Sequence, residues 1–454
     1  MVLKDQPIIR SAARRPTLDI APQPADVLAS AFRPWRWLAA GGPGLVLLLA
    51  SIGPRDLVSN SVAGTNFGYS LLWTLVLLGV ARFIVLEATA RYVIATGESL
   101  LAGFRVVGGW AGWVVLGAIV LKRHLSNLYN VLLMGLALGW LTGADGSVGR
   151  GLAALCSCGV AFLIMFAGGY KAVERYGKPL ALMLGAPFVL AIIWSRPDPR
   201  AILEGALIPV LPAQGDVYGP GLAVLLLVAT SLDALSSLKY SAYVYEKGWR
   251  KSWQLRRQRI DLLQGMIGIV AVSALIQIAA ASVLRPAGLR LERVEDLVPL
   301  FTTVLGTRGQ VIMAIGLWTT VFTTYIGSNM GYSLIVADIV MAASPGGTPV
   351  DQTVFARRRR SIYRWCLILF CGSPLYVVWT DWRPVPILVA SVGLTVLALP
   401  TVTLILMRLT ADKRIMGDHA NSLFTNLALL LVVVASLYLS YVTGVEILEE
   451  IGGV

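Results

Sequence analysis

The sequence predicts an all-α membrane protein of about eleven transmembrane helices, arranged as two inverted five-helix repeats with a broken first helix and possibly a broken sixth. Three observations carry that expectation. The 454 residues are 56% hydrophobic and only 14% charged, against about 25% charged in a soluble domain, and mean hydropathy is +0.73. Apolar stretches of about 18 residues or more, long enough to cross a bilayer, recur along the chain. The first of them is interrupted near its middle by Gly53, Pro54, Arg55 and Asp56 in SIGPRDLVSN, Ser51 to Asn60.

Residues 1–36 are polar, rich in proline and arginine, and read as a disordered tail. No short apolar leader with a cleavage site opens the chain. The spans follow at 38–67, 70–95, 110–141, 151–168, 179–195, 219–245, 261–284, 309–342, 362–380, 384–408 and 424–443. With the tail inside, the inner segments hold 24 Lys/Arg against eight outside. The positive-inside rule therefore places the N-terminus in the cytoplasm and, with an odd number of spans, the acidic end Glu446, Glu449, Glu450 outside. The predicted division is 1–36 tail, 37–200 first repeat, 201–408 second repeat, and 409–454 the eleventh helix with a short extracytoplasmic end.

The first break is where function is expected. Proline has no N–H to donate and glycine weakens a helix, so the hydrogen-bond ladder opens. In lipid such a break survives only when buried in protein or lining a water-filled cavity. Arg55 and Asp56 sit at it, and intramembrane charges usually mark a substrate or ion path; the alternative is a proline kink with a structural ion pair. The sequence predicts an unwound Gly53–Asp56 lying against the sixth span, where VATSLDALSSLKYS (Val228 to Ser241) carries Thr230, Ser231, Asp233 and Lys239. On the third span Arg123, Asn127 and Asn130 fall at i, i+4, i+7 and share one face, beside Lys122 and His124. That stripe should face the bundle interior, with His124 either a proton relay or a hydrogen-bonded structural residue. Hydroxyl-rich TTVFTTYIGSN, Thr319 to Asn329, on the eighth span suits a polar cavity or interhelical hydrogen bonds. Arg82 is a further intraspan cation, and Arg91, four residues after Glu87, is expected to pair with it and snorkel.

Other features have simpler explanations. Cys156, Cys158, Cys366 and Cys371 all lie in apolar segments and read as reduced packing residues. The run Arg357 to Arg360 reads as a cytoplasmic loop rather than a nucleic-acid patch. Gly64/Gly68 and Gly135/Gly139 have G-x-x-x-G spacing and allow close helix packing, but among 45 glycines they specify no oligomer. No soluble-enzyme signature or nucleotide-binding motif is present, so neither ATP-driven pumping nor a cofactor is expected.

The segments GGPGLVLL with the broken span after it, FGYSLLW (Phe67 to Trp73), IATGESL (Ile94 to Leu100) and LPTVTLILMRLTADKRIMGDHANSLFTN (Leu399 to Asn426) resemble the natural-resistance-associated macrophage protein (NRAMP) family of proton-coupled divalent-metal transporters. The resemblance spans roughly residues 38–443 and implies the LeuT-like inverted repeat and a bacterial inner (plasma) membrane location. Its chemistry departs from the family's. Where the family has Asp-Pro-Gly-Asn with two metal ligands, this chain has Gly53, Pro54, Arg55, Asp56. The family's sixth-span methionine and Pro-His pair are replaced after Ala229-Thr230 by Ser231, Leu232, Asp233, Ala234. Acids that assist proton movement align with Asn127 and Asn130, and a tenth-span glutamine aligns near Val392.

The expected function is secondary-active transport, and the family implies a divalent cation. Asp56 and Asp233 as metal-binding carboxylates, with the Thr230 and Ser231 hydroxyls, offer oxygen donors for a hard ion such as Mg²⁺ or Mn²⁺. The competing expectation is a small organic carboxylate or zwitterion held by the Arg55 fork, and the third is a sensor that does not transport. Expected partners are the ion or small-molecule substrate and the lipid bilayer, with no nucleic acid.

Overall fold

A computed structural model describes residues 42–100, 109–143, 146–210, 234–288, 307–343, 352–380 and 384–452, with single positions at 224, 227, 228, 230, 231, 302 and 382. The predicted tail and Asp233 lie outside the described residues. The described part is helical, and each predicted span overlaps a helix.

The first span is two helices, α1 (Pro43–Ser51) and α2 (Pro54–Phe67), bent by 64°. The unwound segment is shorter than expected. Only Ile52 and Gly53 leave the helical region, and Pro54, Arg55 and Asp56 form the first turn of α2. Pro54 takes the position where a missing N–H costs nothing, and Asp56 caps that turn by accepting from Gly53 N at 3.2 Å. The break is therefore a restart of the helix, with the charges on its second half.

Helix α3 (Leu72–Thr96) follows a turn at Gly68 and ends at Gly97, whose φ of 73° is left-handed. Helix α4 (Gly109–Thr142) is the third span. The fourth and fifth join in α5 (Ser147–Ser195), and the expected inner loop between them is helical. The chain turns there at Gly169 alone (φ 55°, ψ −148°), a conformation glycine adopts without a Cβ clash. A short α6 (Pro199–Leu207), capped by Asp198, packs over the turn after α2; a Cβ on Gly205 would lie 2.2 Å from the Tyr69 carbonyl oxygen. Then come α7 (Ala234–Glu246), α8 (Leu255–Val283), α9 (Thr307–Ala343), α10 (Gln352–Gly372), α11 (Pro384–Ala411), the single turn α12 (Lys413–Met416) and α13 (Leu423–Gly452). The apolar window of α9 is 72% buried and that of α13 only 28%, so α9 is the central strut and α13 a lipid-facing outer helix.

Two expectations about charge change. The arginine run is no loop: it forms the start of α10, from which Arg359 bonds Asp338 of α9 (2.7 Å) and Glu246 at the end of α7. Four arginines on successive helical positions point in different directions, so one can turn inward. Arg91 pairs with Glu87 at 3.2 Å as expected, yet it is buried rather than snorkelling. It donates to the His419 carbonyl (2.7 Å) and to Asn421 (2.8 Å), while Glu87 also holds Arg259 of α8 at 2.8 Å. These links tie α3, α8 and the segment before α13 together at one end of the bundle.

Glycines set how closely the broken span seats. A Cβ on Gly44 would lie 2.2 Å from the Asp261 backbone oxygen, and Gly44 N donates to the Asp261 carboxylate at 2.7 Å. A Cβ on Gly64 would meet the Gln277 carbonyl at 2.3 Å, so its G-x-x-x-G spacing serves packing of α2 on α8 within the chain. Gly44→Ala should lower stability by about 1–3 kcal/mol through overpacking, measured as melting of detergent-purified protein. Gly159→Ala, in open space on α5, is the control and should be neutral or slightly stabilising.

Candidate substrate site at the broken first span

Below the break, α2 carries the anionic side. Asp56 is buried, 4% exposed. Its backbone oxygen accepts from Asn60 Nδ2 (2.7 Å) and Ser59 Oγ (3.4 Å), and Ser59 Oγ lies 3.3 Å from Thr230 Oγ1. That last contact joins the first span to the sixth. Asp56 and Ser231 line one narrow cavity with Arg82 of α3 and with Met266 and Ser273 of α8. It offers about 10 Å³ to the centre of a water molecule, room for about one.

Above the break, the carbonyl end of α1 is filled by side chains. The last carbonyls of a helix have no intrahelical donor and carry the negative end of its dipole. Ile52 O accepts from Thr324 Oγ1 at 2.6 Å, and Ala50 O accepts from Lys239 Nζ at 3.5 Å and Ser328 Oγ at 3.4 Å. Arg82 Nη2 donates to Ser51 Oγ at 2.7 Å. A Cβ at Gly53 would stand 3.0 Å from the Thr324 side chain, so the break leans directly on α9.

The third-span stripe meets α9 as well. Arg123 donates to Asn127 Oδ1, and Asn127 Nδ2 donates to Asn329 Oδ1 (2.9 Å) and to the Phe370 carbonyl (2.7 Å). Lys122, Arg123 and Lys239 all flank the ring of Tyr332, their charged groups 5.7, 5.6 and 5.2 Å from its centroid. A ring face attracts cations, and all three are buried. Asn130 is 0% exposed and its amide makes no hydrogen bond among the described residues. His124 stands apart: Nδ1 meets Ser373 Oγ at 3.0 Å and the ring stacks on Tyr376 at 5.9 Å.

The fold thus gathers Asp56, Thr230 and Ser231 at one face of the break and Lys122, Arg123, Asn127 and Lys239 around α9. Arg55 is half-buried on α2 and is not among the residues lining the cavity; Arg82 is. The side chain of Val392 lies outside the described residues. Arg82, Thr324, Ser328 and Asn329 carried signals in the sequence as an intraspan charge and a hydroxyl-rich patch, without showing what they face. Met266 carried none, since α8 is apolar along most of its length.

Asn127 holds a buried guanidinium and a backbone carbonyl of α10 together. Asn127→Ala should destabilise the protein by roughly 1.5–3 kcal/mol, the cost of removing a hydrogen bond to a buried charged group. Asn127→Asp keeps an acceptor for Arg123 and should be milder in the same melting assay.

Residues 44–446 match the profile described as natural resistance-associated macrophage protein-like. Over 415 residues the chain is 26% identical to the divalent metal cation transporter MntH of Chromohalobacter salexigens, covering 88% of this chain and 90% of that one. The crystal structure of a mutant of the Eremococcus coleocola manganese transporter superposes with a TM-score of 0.75 at 16% identity, covering 95% of this chain and 90% of that one. MhsT in complex with L-phenylalanine gives 0.55 at 15% identity, over 88% and 98%. These neighbours share the LeuT-like arrangement, and with a family match over nearly its whole helical length the chain belongs to the Nramp family of multi-pass membrane transporters.

Proposed function

We propose that the chain is a secondary-active transporter of a hard divalent cation such as Mg²⁺ or Mn²⁺, bound at the break by an altered set of ligands. The observation that carries this is the cavity lined by buried Asp56 and by Ser231 beside the broken span. Its small size suits one dehydrated ion rather than an organic acid of several heavy atoms. Oxygen donors of this kind fit hard cations, and Asp233 on the sixth span is proposed as the second carboxylate. The names of the relatives, a divalent metal cation transporter and a manganese transporter, support the same substrate class. The proposed setting is a bacterial plasma membrane with the N-terminus cytoplasmic, residues 37–200 and 201–408 forming the two repeats.

A small organic carboxylate is the second reading, favoured by Arg82 in the same cavity. Two unit charges 4 Å apart interact by about 4 kcal/mol at an effective dielectric of 20, so a guanidinium there opposes a dication and attracts an acid. Uptake into liposomes separates the two. For a metal substrate, Asp56→Ala should abolish saturable Mn²⁺ uptake and Arg82→Ala should leave it intact or raise it. Carboxylate uptake lost in Arg82→Ala and only partly restored by Arg82→Lys, which lacks the bidentate fork, would favour the organic acid.

Proton coupling is proposed to be weak, because Asn127 and Asn130 replace titrating groups and His124 is engaged with Ser373 and Tyr376. Flux should rise less than about twofold under an imposed pH gradient and be unchanged in His124→Ala. A steep rise that survives His124→Ala would refute weak coupling.

A further inference from the structure

Pro54 leaves a specific vacancy in the helix ladder. In a continuous helix the Ala50 carbonyl would accept from the N–H four residues on, and that residue is Pro54, which has none. The Lys239 ammonium instead approaches Ala50 O, while Ser328 Oγ lies 3.4 Å from both. The three groups form a closed triangle at the negative end of α1, the kind of position that holds a dissolved cation in transporters with broken helices.

The surroundings are built to let the lysine reach this point. Gly327 and Gly331 lie one turn apart on α9. A Cβ on Gly327 would stand 2.6 Å from the Ala50 Cβ, and one on Gly331 would stand 3.0 Å from Lys239 Cγ. Both are absent, so α1 and the lysine stem sit against the α9 backbone. Lys239 is 2% exposed and belongs to the sixth span, so the charge reaches the first span from across the proposed site.

We propose that Lys239 is a tethered cation that fills the position where a free monovalent cation would otherwise bind, and that removing it opens a sodium site made by Ala50 O and Ser328 Oγ. This deepens the transporter reading, since it makes the cycle independent of sodium, but its test contains no substrate and can fail separately. Melting of full-length protein in detergent is compared in sodium chloride and in N-methyl-D-glucamine chloride at equal ionic strength. The wild type should melt alike in both. Lys239→Ala should melt lower in N-methyl-D-glucamine and recover a saturable ~2–5 °C with sodium, a recovery lost when Ser328→Ala is added. Lys239→Gln, which keeps most of the stem, is read in the same way. A saturable sodium response in the wild type overturns the proposal, as does a folded Lys239 variant indifferent to sodium. Failure of both variants to fold even in sodium also overturns it, because a vacated cation site would be rescued.

Discussion

An unpaired backbone carbonyl inside a bilayer costs several kcal/mol, and the first span creates more than one of them at its break. The structure is organised around satisfying them. Thr324 takes Ile52 O, Ser328 and Lys239 take Ala50 O, and Asp56 returns to cap the N–H of Gly53. Each of these partners arrives from α9, from the sixth span or from the second half of the broken span itself. Helix α9, whose apolar window is 72% buried, meets this demand with Thr324 and Ser328 as well as packing apolar side chains.

The same helix resolves a problem of charge. Lys122, Arg123 and Lys239 come together at the face of Tyr332, and Arg123 also donates to the Asn127 amide, which bonds Asn329. A ring quadrupole and an amide dipole both stabilise a buried cation. The amide of Asn127 joins α4 to α9 and α10 without adding a fixed acid there.

Much of this was legible in the sequence, and what was not has physical causes. Hydropathy marked the spans because the bilayer imposes a length on them. Gly53-Pro54 marked the break because no other pair interrupts a helix so strongly. The extent of the break was overestimated: four unusual residues in a row look like an unwound stretch, whereas Pro54 at a first helical turn restarts the helix and Asp56 caps it. The loop between the fourth and fifth spans was misjudged for the opposite reason, since its lysines and arginines are good helix formers and one positive-φ glycine, Gly169, was enough to turn the chain. Helical spacing showed that Arg123, Asn127 and Asn130 face the interior, as their burial bears out, but elsewhere the facing of polar residues could not be read. Arg55 and Arg82 look alike in sequence, and only the packing of α3 against α8 brings Arg82 to the cavity with Met266.

The attachment of α1 has a mechanical consequence. With nine residues at 1.5 Å each it is a rod of about 13 Å, pinned at one end by the Gly44–Asp261 hydrogen bond to α8 and at the other by Lys239 of the sixth span. Its flank is smooth where it crosses Gly327 and Gly265, so little interlocking resists sliding along those lines. Such a rod swings most easily about the pin that holds. If the Gly44–Asp261 pin opens first, α1 stays coupled through the lysine to α7 and the two travel as one body, so the halves of the first and sixth spans beside the break would change position together.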